Sequence, residues 1–306
     1  MVNQITEKRV QFDFEIDFSN GGGIQGKEFR LDIPGDDIRD QDLADYIIKD
    51  LRLLMVGAVR ILNKKIIVEP HKRMDIQTSK AVGGNDSQFI DLSHLITEGL
   101  ITYKGFPAPL ICDYMSREAS KQFYDEGTSF QVGKIEMVAN TGTYLDSPFH
   151  RFQQGKDISE MGLSGLAELE AVVVRTVGIS GRAVDRQIFL SLNVRNKAVL
   201  VHTGWANHWE TEQYFDGHPF LTEAAAHYLK GQGALLVGID SLNIDDISGG
   251  TRPVHTILLG AGIPIVEHLC NLDQLPITGF LFSAVPVKVR GMGSFPIRAF
   301  ARLGTA

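Results

Sequence analysis

Between Asn140 and His150 the chain reads Asn-Thr-Gly-Thr-Tyr-Leu-Asp-Ser-Pro-Phe-His, which sets an amide, a phenol, a carboxylate and an imidazole within eleven residues. Groups of these types can hold a cation, pass a proton or donate to a developing oxyanion. If the backbone is extended through Asp146, then Asn140, Gly142, Tyr144 and Asp146 share one face. Pro148 breaks such a strand and lets His150 turn back towards the same space. Without that geometry the run is a surface turn with an N-capping Asp.

The surrounding sequence must supply the scaffold. Ala171 to Val177, Ala198 to His202 and Ala234 to Ile239 are short apolar runs of the kind that form buried strands. Thr222 to Gly231 lies between the last two, with a Thr cap, an early Glu and a terminal Gly, and predicts a helix. The first 75 residues have a different texture. Gln11 to Phe18 and Glu28 to Ile33 alternate apolar and polar side chains around Asn20-Gly21-Gly22-Gly23, which predicts a β-hairpin. Leu43, Ile47, Leu51, Leu54, Met55 and Ala58 recur at helical spacing from Asp42 to Leu62, with Asp40 or Asp42 as cap. Lys65 to Val68 reads as a third strand. The chain is therefore expected to be α/β, with a small α+β (ββαβ) domain at 1–75, a polar, Gly-bearing linker at 76–88 and a catalytic body at 89–306.

Composition narrows the function classes. Of 306 residues 43% are hydrophobic and 22% charged, ordinary for a globular chain. The net charge of −7 gives no general attraction for nucleic acid or anionic membranes. No apolar run reaches the ~20 residues needed to span a bilayer, and the polar first residues predict no signal peptide. Two distant cysteines, Cys112 and Cys270, exclude a disulfide framework and a Cys-rich zinc site, so the expected location is the cytoplasm. There is no P-loop, dinucleotide loop, GxSxG elbow or HExxH.

The Asn140–His150 segment resembles the HxGTHxDxPxH signature of the cyclase family, also called the kynurenine formamidase or isatin hydrolase-like family. Further stretches resemble that family in the same order: Ile90 to His94, Gly238 to Ser241, His255 to Glu267 and Ser294 to Ala301. The resemblance covers residues 89–306 and implies the cyclase-like swivelling β/β/α fold with a mixed sheet. It also implies a homodimer or larger homo-oligomer acting on a small molecule. Carried over position by position, it implies Asp146, His255 and Glu267 as metal ligands and His150 as proton shuttle. Two ligand positions depart from the pattern: Asn140 and Tyr144 stand where the family has His. The remaining set, rich in oxygen, would hold one divalent ion, Zn²⁺ or a harder ion such as Mn²⁺.

Three readings follow. A metal-activated water could attack an amide, lactam or ester, with His150 moving the proton. A metal-free site could run acid–base chemistry on His150, with Tyr144 and Asn140 donating to an oxyanion or enolate. The fold could also serve as a binding or assembly module. Trp205, Trp209 and Phe149 are the candidate substrate-binding side chains, although Trp205 and Trp209, four apart, could simply pack one side of a short helix. Asp240, at a strand end, is the candidate for orienting a catalytic His by hydrogen bond. Asp245 and Asp246 read as a solvated turn, and Arg298 as a residue needing a carboxylate partner.

Overall fold

The computed structural model describes residues 6–19, 21–33, 35, 37–50, 56–70 and 89–304. The chain divides into two compact units, Met1–Val82 and Gly83–Ala306. The linker expected over 76–88 lies outside the described residues.

In the first unit, strands β1 (Thr6–Phe18) and β2 (Gly23–Asp32) pair antiparallel, helix α1 spans Asp40–Asp50, and β3 (Val56–Pro70) completes a sheet of order β2-β1-β3. The period-2 pattern of β1 sends Val10, Phe12, Phe14 and Ile16 to one buried face, which Leu43 and Ile47 of α1 cover. Of the helix expected over 42–62, Asp40–Asp50 is helical and Val56–Leu62 is strand, while Leu51, Leu54 and Met55 lie outside the described residues. Residues Val56 to Val68 are β-branched at Val56, Val59, Ile61, Ile66 and Ile67, carry a helix-weakening Gly57, and pair along almost the whole of β1. A pattern that satisfied helical spacing was decided by the sheet ladder.

The second unit carries a nine-stranded mixed sheet. Its strands are β4 (Phe89–Asp91), β7 (Tyr144–Asp146), β8 (Leu169–Arg175), β10 (Ala198–His202), β12 (Leu236–Ile239), β13 (Ile265–Glu267), β14 (Phe280–Ser283), β15 (Ser294–Pro296) and β16 (Phe300–Leu303), in the spatial order β15-β7-β13-β12-β10-β8-β14-β16-β4. Strands β5 (Leu110–Met115) and β6 (Val132–Glu136) form a separate ribbon, and β9 (Ala183–Val184) and β11 (Phe220–Leu221) a second one. The helices are α2 (Arg117–Ser120), α3 (Glu223–Gln232) and α4 (Pro253–Gly260). Helix α3 runs past Gly231 and closes at Gly233, whose φ of +77° is the left-handed conformation a helix stop uses.

The central strands β8, β10, β12 and β13 are parallel and buried on both faces. Val172, Val174, Val199 and Val201 pack under α3 and α4, whereas Ala171, Val173, Ala198 and Leu200 meet Phe280, Phe282 and Ala301 from the sheet's own far strands. The sheet therefore curls over a second core, which explains why these strands read as continuous apolar runs. Arg298 is exposed and pairs with Asp91 of the same chain (Nη2–Oδ2 2.6 Å). Among the described residues no helix is long and apolar enough to cross a membrane.

Candidate active site

Short β7 lies between β13 and β15, antiparallel to both. Register places Tyr144 opposite Glu267 and Asp146 opposite Ser294, so the four side chains share one face. Strand conformation does not reach back to Asn140: Gly142 adopts φ +65°, and a Cβ there would lie 2.9 Å from Ile96. Alternation fails at that glycine, which leaves Asn140 off the strand, half-buried, and without a hydrogen-bond partner among the described residues. Beyond the strand, Pro148 opens a single turn of 3-10 helix, Pro148–His150, that swings His150 back. Gly293 packs under this turn, where a Cβ would come within 2.6 Å of the His150 Cα.

Ser294 links two of these groups. Its hydroxyl hydrogen-bonds to Asp146 Oδ1 and stands 2.8 Å from His150 Nδ1, while Nδ1 and Oδ1 are 3.6 Å apart. With the hydroxyl proton directed to the carboxylate, the serine oxygen accepts Nδ1–H and His150 Nε2 keeps its lone pair.

His255 enters from the first turn of α4. Asp245 binds it closely: the carboxylate accepts from the backbone N–H of Val254 (2.8 Å) and His255 (3.0 Å) and lies 2.6 Å from His255 Nδ1. Asp245 is buried and is no solvated turn. It occupies the positive end of α4 and orients the imidazole as carboxylates commonly orient metal-ligating histidines. Asp240 has another task. It accepts from Thr203 N (2.8 Å), Thr203 Oγ1 (2.6 Å) and Gly204 N (2.8 Å), and so holds the loop after β10 instead of a site histidine.

Glu267 is buried and fully engaged. Its Oε1 accepts from Ile244 N (2.7 Å), and its Oε2 accepts from the phenols of Tyr144 and Tyr103, the latter at 3.1 Å. The two phenols are 2.8 Å apart, and Tyr103 also reaches the carbonyl of Leu242 at 2.7 Å. Burial and the charge of Glu267 hold both phenols well above the usual tyrosine range, so Tyr144 is a neutral donor spent on Glu267. Burial, helped by the charge of Asp146, raises Glu267 itself, while His255 opposes the shift. At His255 burial works against charge, but the neighbouring carboxylates of Asp146, Asp245 and Glu267 carry its pKa upwards.

The donor set fits a divalent cation. Asp146 is fully buried, and its Oδ2 has no hydrogen-bond partner among the described residues. His255 Nε2 lies 3.6 Å from that oxygen and 3.7 Å from Glu267 Oε1. These separations are too long for hydrogen bonds, yet ligand atoms ~2.1 Å from a tetrahedral ion stand roughly 3.4 Å apart. Asp146, His150 and His255 also offer ligand atoms that all lie within 4.8 Å of one another. Three buried carboxylates, Asp146, Asp245 and Glu267, surround one imidazole and need positive charge among them.

A cavity of about 560 Å³ opens onto His150 and His255 and is also lined by Asn243, Arg151, Arg252 and Thr256. Trp205, Trp209 and Phe149 are not in its lining. Trp205 donates its indole N–H to the Tyr214 carbonyl (3.0 Å), and Trp209 stacks on His94 with ring centroids 4.0 Å apart. Residues 205–208 form one turn of 3-10 helix, so the two indoles do not share an α-helical face. Nothing in the sequence assigns a role to Ser294 or Tyr103, and Asp245 reads there as part of a solvated turn. All three reach the site by tertiary contact, and only Asp245, nine residues before Val254, gave a local signal as a helix-capping carboxylate.

A mixed curled sheet that gathers acid–base groups and candidate cation ligands from β7, β13, α4 and the turn at His150 is the scaffold of an α/β enzyme of hydrolase type. Residues 90–246 match the Cyclase family model, described as "Putative cyclase", over more than half of the chain, and the chain belongs to this family. It is 29% identical over 178 residues to a protein named kynurenine formamidase from Geobacillus thermodenitrificans, a match covering 58% of this chain and 82% of the relative. Among solved structures it resembles isatin hydrolase A from Labrenzia aggregata bound to benzyl benzoate, with TM-score 0.61, 21% identity and coverage of 71% of this chain and 94% of that one. A second structure, titled a potential metal-dependent hydrolase with cyclase activity, gives TM-score 0.59 and 23% identity over 71% of this chain and 98% of the other. These two structural likenesses show the fold.

Proposed function

We propose that the chain hydrolyses a small non-peptide amide, with His150 moving the proton between attacking water and leaving nitrogen. The observation that carries this reading is the buried, half-satisfied carboxylate of Asp146, placed between His255 and the exposed His150. Relatives named kynurenine formamidase support the amide class. Asp146, His255 and Glu267 are the residues that would hold a divalent cation, Zn²⁺ or Mn²⁺. Such a cation, when bound, polarises a carbonyl and brings the pKa of water towards neutrality.

The remaining work belongs to the protein's own groups. Asp245 accepts a hydrogen bond from His255 Nδ1–H, which leaves the Nε2 lone pair facing inward. Tyr144 and Tyr103 fix Glu267 by hydrogen bonds to Oε2. Through Ser294, Asp146 orients His150, whose Nε2 takes a proton from water as the new C–O bond forms and returns it to nitrogen as the C–N bond breaks. Tyr144 is committed to Glu267, which leaves Asn140 alone of the two oxyanion donors that a metal-free reading uses.

The test combines metal content with turnover. Protein purified without chelators or affinity metal, then equilibrated with Zn²⁺ or Mn²⁺, should hold about one equivalent by elemental analysis and release amine from aryl formamides. Glu267→Ala should lose the metal, and His150→Ala should keep it while losing turnover by at least about 100-fold. No metal under any condition, or full turnover without His150, would overturn the reading.

We also infer self-association. The β5–β6 ribbon leaves Leu110, Ile111, Tyr114, Val132 and Ile135 exposed, more apolar surface than a lone two-stranded ribbon sustains. Light scattering at twice the 33.8 kDa chain mass or above is the expected result. A monomer would refute it.

A further inference from the structure

The cavity in front of His150 and His255 carries a feature that amide hydrolysis alone does not use. Arg252, the residue before α4, is pinned from one side: its Nη1 donates to the carbonyls of Thr251 (2.7 Å) and Gly249 (2.8 Å), with that of Asp246 at 3.4 Å. Among the described residues its Nε and Nη2 have no partner, and no carboxylate lies within 4.0 Å of it. Arg151, directly after His150, is anchored through Nε to Thr256 Oγ1 (3.2 Å), with its guanidinium 5.5 Å from the Phe152 ring. Thr256 in turn donates to the Arg252 carbonyl (2.8 Å), so one threonine ties the two arginines to the same turn of α4. Both line the cavity that reaches the site.

A guanidinium presents five donors in a fixed fork that matches a carboxylate. Arg252 spends one arm on backbone carbonyls and keeps the rest of the fork in place without the entropy cost of a free side chain. The carboxylate in the same lining, Glu223, is two-thirds exposed and stands 3.8 Å from His227, so it leaves both arginines uncompensated. In a chain that carries −7 as a whole, the two arginines place positive charge at the mouth of a buried acidic site. The volume, about 560 Å³, suits a ligand of one or two rings.

From this arrangement we propose that Arg252, with Arg151 beside it, docks an anionic group of the substrate, so that the enzyme selects amides bearing a carboxylate set away from the scissile bond. This rests on the hydrolase reading, and the test separates the two. The probes are 2-formamidobenzoate and its uncharged counterpart 2-formamidobenzamide for turnover, and the fluorescent products 2-aminobenzoate and 2-aminobenzamide for binding. Wild-type protein should bind 2-aminobenzoate at least about tenfold more tightly than 2-aminobenzamide and show a similar preference in kcat/KM, most of it in KM. Arg252→Gln should cut that ratio by about tenfold or more. Arg151→Gln, which disturbs no backbone carbonyl, should cut it in the same direction.

Binding ratios near one, or ratios unchanged in both variants, overturn the proposal while leaving hydrolysis standing. A preference that survives in both variants but disappears on metal removal would put the carboxylate on the cation and overturn it as well. Arg252-dependent binding of 2-aminobenzoate with no turnover of either formamide would instead sustain the anion pocket and remove the amide reading.

Discussion

A single carboxylate, Asp245, decides how much His255 can do. Its three contacts are to the backbone of α4's first turn and to Nδ1, so it sets both the place of the imidazole and its tautomer. Asp245→Asn keeps the shape and most of the backbone bonding but offers Nδ1 a donor in place of an acceptor. The proton then moves to Nε2, the atom facing Asp146 and Glu267. Divalent-metal affinity should fall by about 10- to 100-fold, as read by competition with a chromophoric chelator. Equal affinity in the two proteins would show that His255 Nε2 is not a ligand. The sequence hid this residue because Asn243 to Asp246 looks like any polar turn. Asp246 is in fact half-exposed and pairs loosely with Arg182, and only the approach of α4 buries its neighbour. Asp146 and His150 were legible because strand and turn are local, whereas Ser294 and Tyr103 come from residues more than forty positions away.

Between elements, the loop after β4 is clamped to the turn after β10 by His94, which stacks on Trp209 at an interplanar angle of 7°. Trp209 in turn meets Tyr214 and His268 edge-on, so the indole expected to line a pocket serves as packing. Burial lowers His94 from 6.5 to about 4, and its Nε2 has no hydrogen-bond partner among the described residues. The sign follows from linkage. The unfolded chain protonates this histidine below 6.5 and the folded chain resists until about 4, so the neutral ring's stability is intact above 6.5 and is lost as pH falls to 4. The full span corresponds to up to about 3 kcal/mol. His94→Phe keeps the stack and removes the titration. In denaturant melts, the stability of wild type relative to the variant should therefore drop by up to that amount between pH 7 and pH 4. Parallel curves would mean that His94 titrates normally.

At the scale of the whole chain, the second unit was the more legible, because parallel strands buried on both faces leave runs such as Ala198 to His202 that admit few other readings. The first unit was harder. Lys65 to Val68 reads as a strand and is one, but Val56 to Leu62 falls at the end of a run with helical spacing, and pairing with β1 makes it part of the same strand. Once formed, that sheet closes a core of its own around Phe12, Ile16, Leu43 and Ile47, while the second unit builds two separate cores. Unfolding should then not be two-state: calorimetry should resolve two transitions. Leu43→Ala deletes a fully buried side chain from the first core and should cost about 2–5 kcal/mol there. For a unit of this size that lowers one transition by roughly 10 °C or more and leaves the other in place. If both transitions move together, or only one exists, the two cores cooperate and the small unit is an integral part of the enzyme body.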